Sequence, residues 1–202
     1  MTGTYDWNPM PHVVEIRCPE CGCGAVFEFA EVVRIALKKD IDFFKNNKLF
    51  EYRFLSDSCG GGWHAAFYFP RLHGSSTDVL RDLPAEYSPA DWNHSQYLYR
   101  SNGSDWGTVA CHECGVRRKH VLTWPNDALY QVEFRRKILW AFDRESASDI
   151  RNFIASWDRN RASFKWQNLL LHIPKEFLAA KARDEIVKRL NRLLVSSSQK
   201  AP

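Results

Sequence analysis

The chain lacks the features that would place it in a membrane or send it across one. No run reaches the ~18 consecutive apolar residues of a membrane span. Residues 1 to 11 have neither the charged start nor the apolar run of a signal peptide. Internal repeats and low-complexity tracts are also missing. We therefore expect a cytoplasmic protein with no membrane partner.

The motifs of several enzyme classes are missing too. The glycines at 60 to 62 are not followed by the Lys-Ser/Thr pair of a phosphate loop, and no H-E-x-x-H occurs. No G-x-G-x-x-G follows a strand, and Cys111 lacks the upstream elements of a zinc deaminase. One constellation keeps the residue types of a cysteine nucleophile, namely Asp57, Cys59 and His64. An enzyme using Cys59 and His64 is therefore one hypothesis, although proximity in sequence does not establish geometry.

Four of the six cysteines form two C-x-x-C-G motifs, Cys18 with Cys21 and Cys111 with Cys114. Two thiolates three residues apart can chelate one ion from a tight turn, and the following glycine permits a left-handed backbone. Together the pairs supply the four ligands of a closed tetrahedral zinc site. The sequence thus predicts one structural Zn²⁺, since no ligand position remains open for a substrate.

The spacing of the two pairs leaves alternatives open. Roughly 90 residues separate them, whereas compact ribbons have about 15 to 20. A long insertion adds little closure entropy, because that cost grows only with the logarithm of loop length. Unligated or redox-active pairs are the main alternatives, but the βαβ context expected of a thioredoxin-like redox motif is absent. Cys23, His112 and His120 could replace a ligand; we interpret them as a free thiol and two surface residues.

The two C-x-x-C-G motifs resemble the zinc-ribbon class, in which such knuckles top adjacent β-hairpins. Residues 106 to 125 are similar to the second knuckle of small uncharacterised bacterial zinc-ribbon proteins. The similarity continues at 138 to 144 and at 180 to 190, whereas residues 30 to 100 match nothing that we can name. The resemblance implies a zinc site and a cytoplasmic location, and it implies no activity.

The hydrophobic pattern predicts an α+β protein. We expect a predominantly antiparallel sheet that is organised by a zinc ribbon at 1–125, with a long insert at about 30–100 between the knuckles. A β-hairpin and helices should follow at 126–202. We expect the two parts to form one continuous domain. Alternation indicates these strands: 12–17, 25–29, 50–54, 63–69, 96–100, 106–111, 116–124, 130–134 and 138–142.

Helical spacing appears in three segments. Val33, Leu37, Ile41 and Phe44 predict a helix over 31–46. A second has Ile150, Phe153, Ile154 and Trp157 on one face, behind a Ser146-x-x-Asp149 capping box. Pro174 is placed to begin the last helix, with an apolar face that comprises Ile186, Val187, Leu190, Leu193 and Leu194.

Positive charge is concentrated at two places. Arg117, Arg118 and Lys119 follow the second knuckle, and residues 161 to 202 carry nine Lys or Arg against three Asp or Glu. Such cations beside aromatic residues could meet phosphates and bases. We therefore hypothesise a zinc-stabilised binding module that contacts nucleic acid through the basic knuckle and the C-terminal helix. The alternatives are a solvated edge strand at Arg117 to Lys119 and a protein–protein interaction module.

Overall fold

The computed structural model describes residues 10–56, 60–74, 77, 80–94 and 105–198. Its strands are β1 (Val13–Arg17), β2 (Gly24–Phe29), β3 (Glu31–Ile35), β4 (Glu51–Ser56), β5 (Gly62–Tyr68), β6 (Asn93–His94), β7 (Trp106–Ala110), β8 (Arg117–Val121), β9 (Tyr130–Phe134) and β10 (Lys137–Ala141). Its helices are α1 (Ile41–Asn46), α2 (Pro70–His73), α3 (Arg144–Ala155), α4 (Gln167–Leu170), α5 (Lys175–Leu178) and α6 (Ala180–Ser198). All the paired strands are antiparallel, which confirms the predicted α+β class. No helix in these ranges is long and apolar enough to cross a bilayer.

The first sheet has the order β1-β2-β7-β8, so two hairpins distant in sequence lie side by side. One of its faces carries the fully buried side chains of Val14, Phe27 and Val109. The largest hydrophobic cluster joins these side chains to the C-terminal helices, for example to Ile150 of α3 and Ile186 of α6. The outer edge of β1 is also engaged, because the backbone N–H of Glu15 donates to the Phe142 carbonyl at 2.7 Å. The knuckle sheet is therefore built on the helical part of the chain.

The second sheet, with the order β4-β5-β3-β6, is formed by the segment between the knuckles. The predicted hairpin at 50–69 is confirmed as β4 and β5. The predicted helix over 31–46 is wrong in its first half, where β3 pairs with β5 and β6. Val32 and Val33 are buried in clusters on opposite faces of the sheet. A central strand that is buried on both sides does not alternate, and its apolar residues can fall at helical spacing.

The C-terminal half contains the predicted hairpin, β9 and β10, and the predicted apolar face of α6, in which Ile186, Leu190 and Leu194 are buried. The capping box of α3 differs from the prediction. Asp143, not Ser146, is the N-cap: its carboxylate accepts from the Ser146 N–H at 2.7 Å, and Ser146 Oγ accepts from the Asp143 N–H at 3.0 Å. Pro174 precedes the short helix α5, and α6 begins at Ala180. The predicted strand at 96–100 lies outside the described residues.

Candidate metal centre

The first C-x-x-C motif forms the turn between β1 and β2. The Cys18 N–H donates to the Cys23 carbonyl at 2.7 Å, and the Cys18 carbonyl accepts from the Gly22 N–H at 2.9 Å. Gly22 has φ +73°, a left-handed conformation that costs other residues free energy. The turn reverses the chain while it keeps Cys18 and Cys21 on the same side of the turn.

The second motif forms the equivalent turn between β7 and β8. The Cys111 N–H donates to the Val116 carbonyl at 2.9 Å, and Gly115 has φ +72°. β2 pairs with β7 in a register that places Val26 opposite Ala110, immediately before Cys111. This pairing brings the two turns to the same end of the sheet.

The four cysteine sulfurs lie close together at that end. Cys18 Sγ is 3.6 Å from Cys114 Sγ, and Cys21 Sγ is 3.7 Å from Cys111 Sγ. All four sulfurs lie within 4.8 Å of one another. Cys18 and Cys111 are buried, while Cys21 and Cys114 are exposed at the tips of the turns. The predicted convergence of the four cysteines is confirmed, and the cluster could hold one metal ion.

The surroundings of the sulfurs shift their pKa values in different directions. Burial alone would raise the pKa of the Cys18 thiol, but hydrogen bonds from the Cys21 and Glu20 N–H groups and from the nearby thiols outweigh it and lower the pKa to about 7. A hydrogen bond from the Cys23 N–H lowers the pKa of the Cys21 thiol, but burial and the other three sulfurs outweigh it, so the pKa is raised overall. The pKa of Cys114 is also raised. Four adjacent thiolates therefore repel one another unless a cation compensates their charge.

The sequence offers three further residues near the motifs as alternative ligands, namely Cys23, His112 and His120. Within the described ranges, the group of His, Cys, Asp and Glu side chains that converge here contains only the four cysteines. His112 is exposed on the second turn. His120 Nε2 lies 3.0 Å from Asp127 Oδ2, and its ring packs edge-on against Phe27. His120 thus belongs to the sheet and its flanking loop.

The three cations of β8 lie on both faces of an edge strand. Arg117 and Lys119 pair with Ala110 and Thr108 of β7, so they share one face, and Arg118 projects from the other. Arg118 forms an ion pair with Glu20 at 2.8 Å. No described carboxylate forms an ion pair with Arg117. The three side chains therefore do not share one surface.

Lys119 connects β8 to the inserted sheet. Its ammonium lies 2.7 Å from Glu51 of β4 and 4.6 Å from the ring centre of Phe69. Beside this contact, the guanidinium of Arg53 lies 3.5 Å from the ring centre of Trp106, at the start of β7. Both contacts are cation–π interactions between the two sheets. Lys119 thus contacts the insert through an ion pair and a cation–π interaction and helps to join it to the knuckle sheet.

Of the predicted cysteine–histidine constellation, the structure describes only His64. Its Nδ1 atom is 2.6 Å from the hydroxyl of Tyr52 on the neighbouring strand, and its ring packs against Phe54. Asp57 and Cys59 lie outside the described residues. The hydrogen bond gives His64 a structural partner within the insert.

Trp157 departs from its predicted position. The sequence pattern places it on the apolar face of the helix that contains Ile150, but α3 ends at Ala155 and Ser156 is extended. Trp157 consequently lies beyond the helix, with 85% of its surface exposed. A hydrophobic pattern cannot show where a helix ends, and no feature of the sequence indicates this exposed indole.

Comparison of the chain with protein-family models, with curated proteins and with solved structures found no match.

Proposed function

We propose that Cys18, Cys21, Cys111 and Cys114 bind one structural zinc ion, as in a zinc ribbon. A tetrahedral ion with Zn–S bonds of about 2.3 Å requires sulfurs about 3.8 Å apart. The separations of 3.6 and 3.7 Å lie near this value, and a small contraction of the cluster brings in the longest one, at most 4.8 Å. Four thiolates favour Zn²⁺ over hard cations such as Mg²⁺. They also fill every tetrahedral position, so the ion would support the fold and carry out no reaction.

The function that the zinc-stabilised fold serves is binding of nucleic acid, with α6 as the main surface. Lys188 and Arg192 line a shallow groove of about 600 Å³ along this helix, together with Val195. Neither cation forms an ion pair with a described carboxylate, whereas the neighbouring Arg189 is paired with Glu185. Unpaired cations on an exposed helix are the observation that carries this proposal.

The basic strand contributes less than the sequence suggests. Arg118 and Lys119 are each partnered by a carboxylate, which reduces the charge they offer to a phosphate. Arg117 remains exposed without such a partner in the described part of the chain. We therefore propose a secondary role for Arg117, Arg118 and Lys119 in nucleic-acid binding.

Filter binding of mixed-sequence nucleic acid at several salt concentrations tests this proposal. Each phosphate that a cation neutralises releases counterions, so the logarithm of the affinity should fall linearly with the logarithm of the salt concentration. The double substitution Lys188→Ala, Arg192→Ala should lower the magnitude of the slope by about two. Replacing all of Arg117, Arg118 and Lys119 with Ala should lower the magnitude of the slope by less than three, because two of these cations are already paired with carboxylates. The absence of binding at the lowest salt concentration would refute the proposal.

Protein–protein interaction is the second candidate, because several large apolar side chains are exposed. Phe54 lies on the edge strand β4, Val121 on the edge strand β8, and Val195 in the groove of α6. Docking through such residues depends weakly on salt, whereas phosphate binding weakens steeply as salt rises. Salt dependence therefore separates the two candidates.

A further inference from the structure

Trp157 is an isolated, almost fully exposed indole. It lies between α3 and the turn Arg161–Ser163, and 85% of its surface is accessible. Large aromatic side chains usually bury most of their surface. The indole of Trp157 therefore offers an unusually large apolar area to a ligand.

Arg183, in the first turns of α6, contacts the indole. The guanidinium carbon of Arg183 lies 3.9 Å from the centre of the Trp157 ring, which is the geometry of a cation–π contact. This contact occupies part of the ring and leaves the rest in solvent. The guanidinium thus covers part of the ring, and the exposed remainder can stack on a second planar group.

Arg159 fixes the segment that carries the indole. Its backbone has φ +49°, which is uncommon for a residue with a side chain, and its N–H donates to Ser156 Oγ at 3.3 Å. Its guanidinium donates to the carbonyl of Leu178, two residues before α6. Trp157 is therefore presented by a segment that is tied at both ends to the helical part.

One cation, the guanidinium of Arg183, lies directly against the ring. Neither Arg159 nor Arg183 forms an ion pair with a carboxylate in the described ranges, although Asp158 and Asp184 are their neighbours in sequence. An anionic ligand would satisfy this charge, and a flat apolar group would cover the ring.

We propose that Trp157 and Arg183, with the turn held by Arg159, form a stacking site for a base of single-stranded nucleic acid. A nucleotide supplies both required groups, because its base can stack on the indole while its phosphate meets the guanidinium group of Arg183. Duplex bases are already stacked on one another, so the site selects unpaired bases. The inference rests on the proposed nucleic-acid binding and assigns it a position and a form of ligand.

Titration of the full-length protein with labelled oligothymidine, single-stranded and annealed to its complement, tests the site. Trp157→Ala should weaken single-strand binding by about 5- to 150-fold, the range for loss of one base–aromatic stack. Trp157→Phe should retain most of the affinity because it keeps a ring, and Arg183→Ala should weaken binding. Binding of the duplex should change little in any of these variants.

The matched control is Leu171→Ala, which truncates another exposed apolar side chain in the helical part and should leave affinity unchanged. If the wild type binds no nucleic acid, the proposed function and this site both fail. If it binds and Trp157→Ala binds equally well, only this site is refuted. If Trp157→Ala loses binding to an acidic peptide but keeps oligothymidine binding, the surface is a protein contact and the inference is wrong.

Discussion

Arg118 of β8 forms an ion pair with Glu20 of the first knuckle, with 2.8 Å between Nη2 and Oε1. The pair links the two knuckles outside the cysteine cluster, beyond Val26 and Ala110, where the pairing of β2 with β7 ends. About half of each side chain is exposed, 47% for Arg118 and 53% for Glu20. Water and salt screen such a pair, so it orients the knuckles and contributes little stability.

The first prediction concerns this ion pair. In a double-mutant cycle of Arg118→Ala and Glu20→Ala, the coupling free energy should not exceed about 1 kcal/mol. Urea unfolding of the four proteins measures it. A coupling of several kcal/mol would show that the pair, and not the cysteine cluster, holds the knuckles together.

The second prediction concerns the pH dependence of stability. The neighbouring His12, whose Nε2 lies 3.6 Å from Glu28 Oε1, together with the charge of Arg71, lowers the pKa of Glu28 from its usual 4.5, against the opposing effect of burial. The unfolded chain then binds the proton more readily than the folded one. The resulting stability is fully present above about pH 4.5 and is lost as the pH falls through the lowered pKa.

Replacing Glu28 with Gln should remove this component. The wild type should lose more unfolding free energy than Glu28→Gln between pH 7 and acidic pH, where urea titrations of both proteins give the difference. Acid also protonates cysteine ligands, but that effect is common to the two proteins and cancels in the comparison. Equal losses in both would contradict the assigned role of Glu28.

The third prediction concerns Gly107 in β7. A Cβ atom at this position would lie 2.3 Å from the Glu28 carbonyl oxygen and 2.3 Å from Phe27 Cζ, a ring that is fully buried. Because neither neighbour can move freely, Gly107→Ala should destabilise the protein by about 1 to 3 kcal/mol or more. Gly24→Ala is the matched control, since its Cβ would meet only Leu129 Cδ2 at 3.3 Å. Similar unfolding midpoints for the two variants would contradict this account of the packing.

Local patterns predicted most of the strands and the site, because these depend on short-range chemistry. The hairpins at 50–69 and 130–142 alternate with period two, and each C-x-x-C-G motif forms a turn by itself. The two cysteine pairs could be assigned to one site across roughly 90 residues, because each pair supplies only half of the ligands of a tetrahedral site. The number of ligands that a zinc ion needs thus predicts a contact between distant segments, which hydrophobic periodicity does not.

The errors arose where tertiary context overrides the local pattern. The segment at 31–35 is a strand because β5 and β6 flank it and clusters cover both its faces, which no residue in it reveals. The capping residue Asp143 and the end of α3 at Ala155 depend on single hydrogen bonds that hydrophobic spacing does not report. The carboxylates that pair with Arg118 and Lys119 come from distant segments, so the local sequence does not show that these two cations form ion pairs.

The fourth prediction concerns the ligands of the cysteine cluster. Cys111→Ser should lose the metal and unfold much of the knuckle sheet, because metal binding and folding are coupled in such sites. Cys23→Ser is the control, since Cys23 lies outside the group of converging sulfurs. Circular dichroism follows the sheet in both variants. Loss of structure in Cys23→Ser alone would show that the ligand set is assigned incorrectly.

Elemental analysis of the purified protein tests the central claim most directly. The four sulfurs, all within 4.8 Å of one another, should hold one zinc ion per chain, and chelation of this ion should abolish the folded circular dichroism spectrum. Metal-free protein whose spectrum is unchanged would contradict the claim that a bound metal ion organises the knuckle sheet.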